Sequence, residues 1–309
     1  MNGFLVIDKP VEMTSAQVVA RVKRLTGANK VGHTGTLDPF ATGVLICCLN
    51  QATRLAGYLL KDTKRYRAVL HLGISTDTQD STGEVMARAT VGHLTPETVA
   101  AAVGAFKGTF QQQPPTYSAL KHKGVPLYKL ARMGKPVQKP PREVTVSKLV
   151  IETIALPEVT FEVACSAGTY IRTLGADIGR QLGCGGHLTA LRRLSSGPFG
   201  TDSALGLERL EEIAAQGDLE RYLISPAQAL ANWPRVEADE RLLAKVRHGQ
   251  PLRTADVGCI TPAPRNPADP VLVLGPGNRL AAVIGYQPET EKISYHCVFA
   301  DEINASGIV

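Results

Sequence analysis

Helical and strand-like segments do not alternate regularly along this chain, and that irregularity constrains its fold more than any other feature. Strands fit at Phe4–Ile7, 43–49, Tyr66–Leu72, 143–151, 159–165 and 186–194. Helices fit at 15–26, Asn50–Leu60, from Thr95-Pro96-Glu97 onward, Pro126–Met133 and Thr169–Leu182. Some strands follow one another directly and others are separated by helices. A doubly wound sheet requires repeated βαβ units, so the pattern predicts an α+β fold: a mixed, largely antiparallel sheet flanked by helices.

Local periodicity supports these segments. Tyr66–Leu72 alternates as a half-buried strand, and Val159, Phe161, Val163 and Cys165 share one side of theirs. In the first helix Val18, Val22 and Leu25 share a face, Arg21, Lys23 and Arg24 point outward, Ser15 is the expected cap and Gly27 the stop. Thr169 is the expected cap of a later helix whose stripe is Ile171, Leu174, Ile178 and Leu182. Near Pro234 the character changes. A helix at 238–247 and short strands at 271–275, 280–285 and 293–299 lie between Pro/Gly-rich stretches. The expected division is residues 1–233 and a small β-rich domain at 234–309.

Charge is distributed unevenly. Residues 1–202 carry 24 Lys and Arg against 14 Asp and Glu, whereas 203–309 carry 10 against 14. Between 107 and 148 there are nine basic residues and one acid, Glu143. A long basic N-terminal region points to a polyanionic partner, with a merely solvated surface as the alternative. No apolar run approaches the roughly 20 residues needed to span a bilayer. The six cysteines form no CxxC pair, and Cys47 and Cys48, adjacent on a strand, face opposite sides. Buried, reduced thiols in a cytoplasmic protein are expected, with no metal site.

Four segments have the make-up of a functional site, each with a plainer alternative. Gly32-His-Thr-Gly-Thr-Leu-Asp-Pro39 sets a single carboxylate, Asp38, before a proline that favours extended backbone; the alternative is an ordinary turn. Ser166-Ala-Gly-Thr-Tyr-Ile-Arg172 places Tyr170 and Arg172 in the first turn of a helix. There an arginine opposes the helix dipole unless an anion offsets it; otherwise it points to solvent. Lys64-Arg-Tyr66-Arg67 offers a ring for stacking amid cations, or a strand with one core tyrosine. Gln113-Pro-Pro-Thr-Tyr-Ser-Ala-Leu-Lys-His-Lys123 is a stiffened loop entering the basic stretch, suited to a nucleic-acid backbone or a plain surface excursion.

Taken together and in order, these segments resemble the TruB-type tRNA pseudouridine synthases. The resemblance is carried by Gly3–Pro10, Gly32–Val44, Lys64–Tyr66, Leu72-Gly-Ile-Ser-Thr-Asp-Thr-Gln-Asp80, Pro115–Lys121, Cys165–Arg172 and Gly183-Cys-Gly-Gly-His-Leu-Thr-Ala-Leu-Arg-Arg-Leu194, roughly the first two thirds of the chain. Ala167 stands where a basic residue is common in the family, and Phe40 where leucine is. The resemblance implies the pseudouridine synthase fold with a small C-terminal domain similar to PUA-type RNA-binding domains. It implies Asp38 as the catalytic aspartate, Tyr66 as the tyrosine stacking on the base and Tyr170 as a second tyrosine. It further implies Arg172 as the aspartate's partner, His33 as a wedge in the T loop, Leu191 as a lining residue, and Asp80 and Lys9 near the site.

The activity so implied is conversion of the T-loop uridine, conventionally position 55 of tRNA, to pseudouridine, with base flipping and an added role in tRNA folding. Implied partners are the T-arm and elbow of tRNA, with no membrane and no obligatory protein partner, the enzyme acting as a monomer. The isomerisation neither gains nor loses atoms and involves no redox change, so no cofactor is expected. Attack by Asp38 at C1′, addition at C6 and abstraction of a ribose proton stay open. An RNA-binding module without turnover, a cysteine-dependent base methyltransferase and a nucleotide hydrolase are the competing classes. The methyltransferase lacks a cofactor loop after the first strand, and the hydrolase lacks a P-loop lysine.

Overall fold

The computed structural model describes residues 1–264, 266, 269–287 and 292–299. Its strands are β1 (Gly3–Lys9), β2 (Val31–His33), β3 (Thr42–Leu49), β4 (Lys64–Leu72), β5 (Ile74–Thr76), β6 (Val85–Arg88), β7 (Gly108–Gln112), β8 (Lys121–His122) and β9 (Val125–Pro126). After them come β10 (Arg142–Ala155), β11 (Glu158–Cys165), β12 (Gly186–Ser196) and β13 (Phe199–Gly200). The main sheet runs β1-β3-β12-β4-β11-β10-β7, with β2 paired to β3 and β13 to β12. The β3–β12 contact is parallel and the other pairings in this sheet are antiparallel, so the sheet is mixed. The ribbons β5–β6 and β8–β9 stand apart from it.

The apolar runs near the N-terminus reflect burial on both faces. From β1 and β3, Leu5, Ile7, Leu45, Cys47 and Leu49 join a core with Val18 and Val22 of the helix Ser15–Thr26 and with Leu207, Leu210 and Ile213 of the helix Leu207–Gln216. Phe4, Val6, Val44, Ile46 and Cys48 point the other way, into a second core. Burying Val18 and Val22 contributes about 2 kcal/mol each. Cys47 and Cys48 thus belong to different cores, and all six cysteines are free. Among the described residues, no helix is long and apolar enough to cross a membrane.

The second core includes Leu272, Leu274, Leu280, Val283 and Phe299, which come from the C-terminal region of the chain. That region forms a four-stranded sheet in spatial order β14 (Arg235–Glu237), β15 (Pro270–Gly275), β16 (Arg279–Gln287) and β17 (Lys292–Val298). The helix Glu240–Arg247 packs on it through Leu242, Leu243 and Val246, with Asp239 as its cap. The expected unit 234–309 extends past this sheet, and residues 300–309 lie outside the described residues.

Two helix starts differ from the sequence reading. The first helix is capped by Thr14, whose hydroxyl accepts from the Gln17 backbone N–H. Ser15 is buried instead: its hydroxyl donates to the Leu37 carbonyl at 2.9 Å and accepts from the Leu37 N–H at 2.8 Å. The later helix spans Ile171–Gln181 with Tyr170 at its N-cap and no side-chain cap. The Thr169 hydroxyl donates to the Ser166 carbonyl in the preceding turn. In both cases a hydroxyl found a partner across a turn or loop, where sequence spacing offers no guide.

At the β3–β12 junction Gly43 has φ +101°, and a Cβ there would stand 2.2 Å from the Arg193 carbonyl oxygen. Both the backbone conformation and the contact demand glycine. Gly43→Ala is expected to destabilise the fold by about 3 kcal/mol, read as a lower urea midpoint at unchanged slope. An unchanged midpoint would contradict this account of the junction.

Candidate active site

Asp38 lies in the segment between β2 and β3, and four of that segment's carbonyls, those of Gly35, Leu37, Asp38 and Pro39, are held by specific donors. The Gly35 carbonyl accepts from Arg193 Nη2 at 3.1 Å and the Leu37 carbonyl from Ser15. The Asp38 carbonyl accepts from the Ala41 N–H. The Pro39 carbonyl accepts from the Glu12 N–H and, at 3.2 Å, from Lys9 Nζ. The backbone is therefore fixed, and the Asp38 side chain remains 35% exposed.

Arg172 holds that carboxylate. Its Nε donates to Asp38 Oδ2 at 2.8 Å and its Nη2 to Asp38 Oδ1 at 3.3 Å. Nη2 also donates to the Tyr117 carbonyl at 2.8 Å and Nη1 to the Thr78 carbonyl at 2.5 Å. The residue is 3% exposed and sits in the first turn of Ile171–Gln181. A buried cation there is unfavourable by itself. Asp38 offsets it, and so does Asp80, whose Oδ2 lies 3.6 Å from Nε. The other oxygen of Asp80 is occupied by the Thr78 hydroxyl and by both the hydroxyl and backbone N–H of Thr82. Asp80 is thus a fixed counter-charge, and Asp38 is the carboxylate open to a ligand.

Lys9 is fully buried and donates to the carbonyls of Pro10, Met13 and Pro39. Burial lowers its pKa to about 8, with Asp38 opposing that shift and Arg193 adding to it. Tyr66 is half-buried on β4, opposite Val163 of β11 and Arg193 of β12. Burial raises the pKa of its phenol while Arg193 lowers it, so the ring stays neutral at ordinary pH. His33 ends β2; burial, then Arg193, lowers the pKa of its imidazole, and its Nδ1 is buried without a hydrogen-bond partner among the described residues. Leu191 is 7% exposed, opposite Ala68.

Tyr170 is held differently. Gln112, 1% exposed, donates through Nε2 to the Tyr170 carbonyl at 3.0 Å and accepts through Oε1 from the Tyr170 N–H at 2.8 Å. The Arg142 guanidinium stacks 4.7 Å from the centre of the Tyr170 ring. Asp38, Asp80 and Arg172 are thus in direct contact, with Lys9 and Tyr66 close enough to feel the Asp38 charge. Tyr170 reaches the group through its helix.

Read alone, the sequence assigns no role to Gln112, Arg193 or the carbonyls of Thr78 and Tyr117, and it offers Ser15 only as a helix cap. Only Arg193 left a signal. Arg192 and Arg193 are consecutive on a strand, so they face opposite sides, and a strand inside the sheet must then bury one of them. Arg193 is the buried one, at 1% exposure, while Arg192 makes a two-pronged pair with Asp8.

The Lys9 geometry has a consequence for stability. The unfolded lysine keeps its ordinary value of 10.5, so between about pH 8 and 10.5 the unfolded chain binds the extra proton. Relative to Lys9→Met, wild-type stability is therefore expected to be flat below about pH 8 and to rise toward pH 10.5. Urea midpoints of both proteins across this range check it; a difference that falls with pH would contradict it.

Known proteins share this arrangement of sequence and fold. Residues 23–171 match the TruB family pseudouridylate synthase N-terminal domain, and 172–231 the tRNA pseudouridylate synthase B C-terminal domain. The tRNA pseudouridine synthase B of Geobacter sulfurreducens is 51% identical over 257 residues, 83% of this chain and 84% of that protein. Its namesake in Syntrophotalea carbinolica is 47% identical over 281 residues, 91% of each chain. A chain in the crystal structure of a Cbf5-Nop10-Gar1 complex superposes with a TM-score of 0.76 at 27% identity, over 97% of this chain and 86% of that one. The chain belongs to the TruB family of pseudouridylate synthases.

Proposed function

We propose that this chain is the isomerase that converts the T-loop uridine at position 55 of tRNA to pseudouridine, with the Asp38 carboxylate carrying the chemistry. The observation that carries this reading is one half-exposed carboxylate, fixed through both oxygens by a buried arginine, in a chain whose relatives are named tRNA pseudouridine synthase B.

The reaction breaks the N1–C1′ bond, turns the uracil and joins C5 to C1′; the C5 proton then leaves and N1 gains one, so the net change is an isomerisation. Positive charge builds at the sugar carbon as the first bond breaks, and an adjacent carboxylate stabilises that charge or bonds to it. Addition to C6 and removal of a ribose proton draw on the same oxygen. In each case Arg172 aims the carboxylate and balances its charge, while Asp80 balances Arg172 in turn. A base stacked in a loop must first leave the stack. The neutral Tyr66 ring supplies a surface for the extruded uracil, Leu191 an apolar wall, and His33 a side chain to fill the gap. Tyr170, held by Gln112 and Arg142, lines the approach.

The basic stretch suits the T-arm and elbow of the tRNA. Lys121, Lys123, Lys129, Arg132 and Lys135 are exposed there, and its Tyr117 carbonyl touches Arg172, so RNA bound along it leads to Asp38. Residues 1–233 form the catalytic domain, and the C-terminal sheet belongs to a PUA-like RNA-binding unit at 234–309. The enzyme works as a monomer in the cytoplasm, in keeping with its free thiols.

Asp38→Asn keeps the size of the side chain and removes its charge. It is expected to lower the single-turnover rate by at least ~1,000-fold and to leave the tRNA Kd within about threefold of wild type. Carbodiimide labelling of a tRNA transcript reads both product and position. Appreciable pseudouridine from the variant would overturn the role of Asp38, and wild-type product outside the T loop would overturn the substrate assignment.

A further inference from the structure

Arg193 takes no part in the chemistry above, yet it is one of the largest fully buried side chains of the protein. Its Nε donates to the Val44 carbonyl at 2.6 Å and its Nη2 to the Gly35 carbonyl at 3.1 Å. One guanidinium thus ties together the two ends of the segment that presents Asp38. Its own backbone is pressed against Gly43 at the same junction. Among the described residues, Arg193 makes no ion pair with an Asp or Glu within 4.0 Å, whereas its neighbour Arg192 is paired with Asp8.

A buried guanidinium without a carboxylate is costly to desolvate. Joining two carbonyls does not require a charge, since a neutral amide also donates hydrogen bonds. What the arginine adds is a fixed positive charge, and the groups around it are those of the site. Tyr66 lies opposite it on β4. Its charge opposes protonation of Lys9, His33 and Lys64 and favours ionisation of the Tyr66 phenol, which the strand register places directly across from it. The other groups acting on that phenol are Asp38 and Cys165, and both oppose its ionisation.

We propose that Arg193 is a positioning residue for the isomerisation: its fork clamps the two ends of the Asp38 segment and its charge holds the Tyr66 phenol in place. This inference rests on the reading of Asp38 and Tyr66 as site residues. Arg193 acts through those two side chains, so its loss slows turnover more than it weakens RNA binding.

The test compares Arg193→Gln, which keeps a donor without charge, with Arg193→Lys, which keeps the charge without the fork. Three quantities are read: the single-turnover rate on a T-loop transcript, the tRNA Kd, and the pH titration of Tyr66 by NMR of [13Cζ]tyrosine-labelled protein, assigned with Tyr66→Phe. Arg193→Gln is expected to slow turnover at least ~10-fold with the Kd within about threefold, and to move the Tyr66 titration to higher pH. In Arg193→Lys the titration stays near wild type and some of the rate returns. A wild-type rate or an unmoved Tyr66 titration in Arg193→Gln would overturn the proposal. If Arg193→Gln does not fold, Arg193→Lys decides: a slower rate with an unmoved titration supports the proposal, and a wild-type rate or a moved titration overturns it. An inactive Asp38→Asn beside a fully active Arg193→Gln sinks this inference alone, whereas an active Asp38→Asn sinks the reading beneath it.

Discussion

The contact between the Arg172 guanidinium and the Asp38 carboxylate is the interaction on which the rest of the site depends. It brings four separate stretches of chain to one point. The helix Ile171–Gln181 supplies the arginine, the β2–β3 connection the aspartate, the turn between β5 and β6 the Thr78 carbonyl and Asp80, and the loop after β7 the Tyr117 carbonyl. Each donor has a defined acceptor, which is what makes a buried guanidinium tolerable. Removing either member of the pair would leave a charge without its partner. The arginine's place in a first helical turn, unfavourable in isolation, follows from the two carboxylates that meet it there.

Rigidity around this contact comes from the sheet. β1 and β3 are buried on both faces, and the Asp38 segment lies where β3 meets β12 in the one parallel pairing of the main sheet. Ser15, Lys9 and Arg193 reach the segment from a helix, a strand end and a central strand, and each takes a backbone carbonyl. These three side chains are themselves buried. A carboxylate supported in this way has little conformational freedom left to lose when a ligand binds, and such preorganisation is where positioning gains its effect on rate.

Much of the fold was legible in the sequence because it depends on local pattern. The doubly buried runs of β1 and β3, the alternation in β4 and the stripe of the helix Ile171–Gln181 follow from periodicities that a single segment carries. Two members of the candidate site stood out for a related reason, each with an ordinary alternative: a lone aspartate before proline in a glycine-bearing loop, and an arginine where the helix dipole disfavours one. Their roles, and those of Tyr66, His33 and Leu191, came from the family resemblance. The remainder depends on partners distant in the chain. Gln112 reads the backbone of Tyr170 across 58 residues, and Ser15 that of Leu37 across 22. The Thr78 and Tyr117 carbonyls carry no side-chain signature. The two misplaced caps, Ser15 and Thr169, show the same limit, since a hydroxyl near a helix start has several possible acceptors and tertiary packing selects one.

If the geometry of the Arg172 fork, and not its charge alone, prepares Asp38 for reaction, then Arg172→Lys is the decisive variant. Lysine retains the positive charge but cannot reach both carboxylate oxygens and the two carbonyls together. The measurement is the single-turnover rate of pseudouridine formation on a saturating tRNA transcript, with folding checked by circular dichroism. A folded variant slowed by at least ~100-fold is the predicted result. A rate within about threefold of wild type would show that charge suffices, and it would contradict the account.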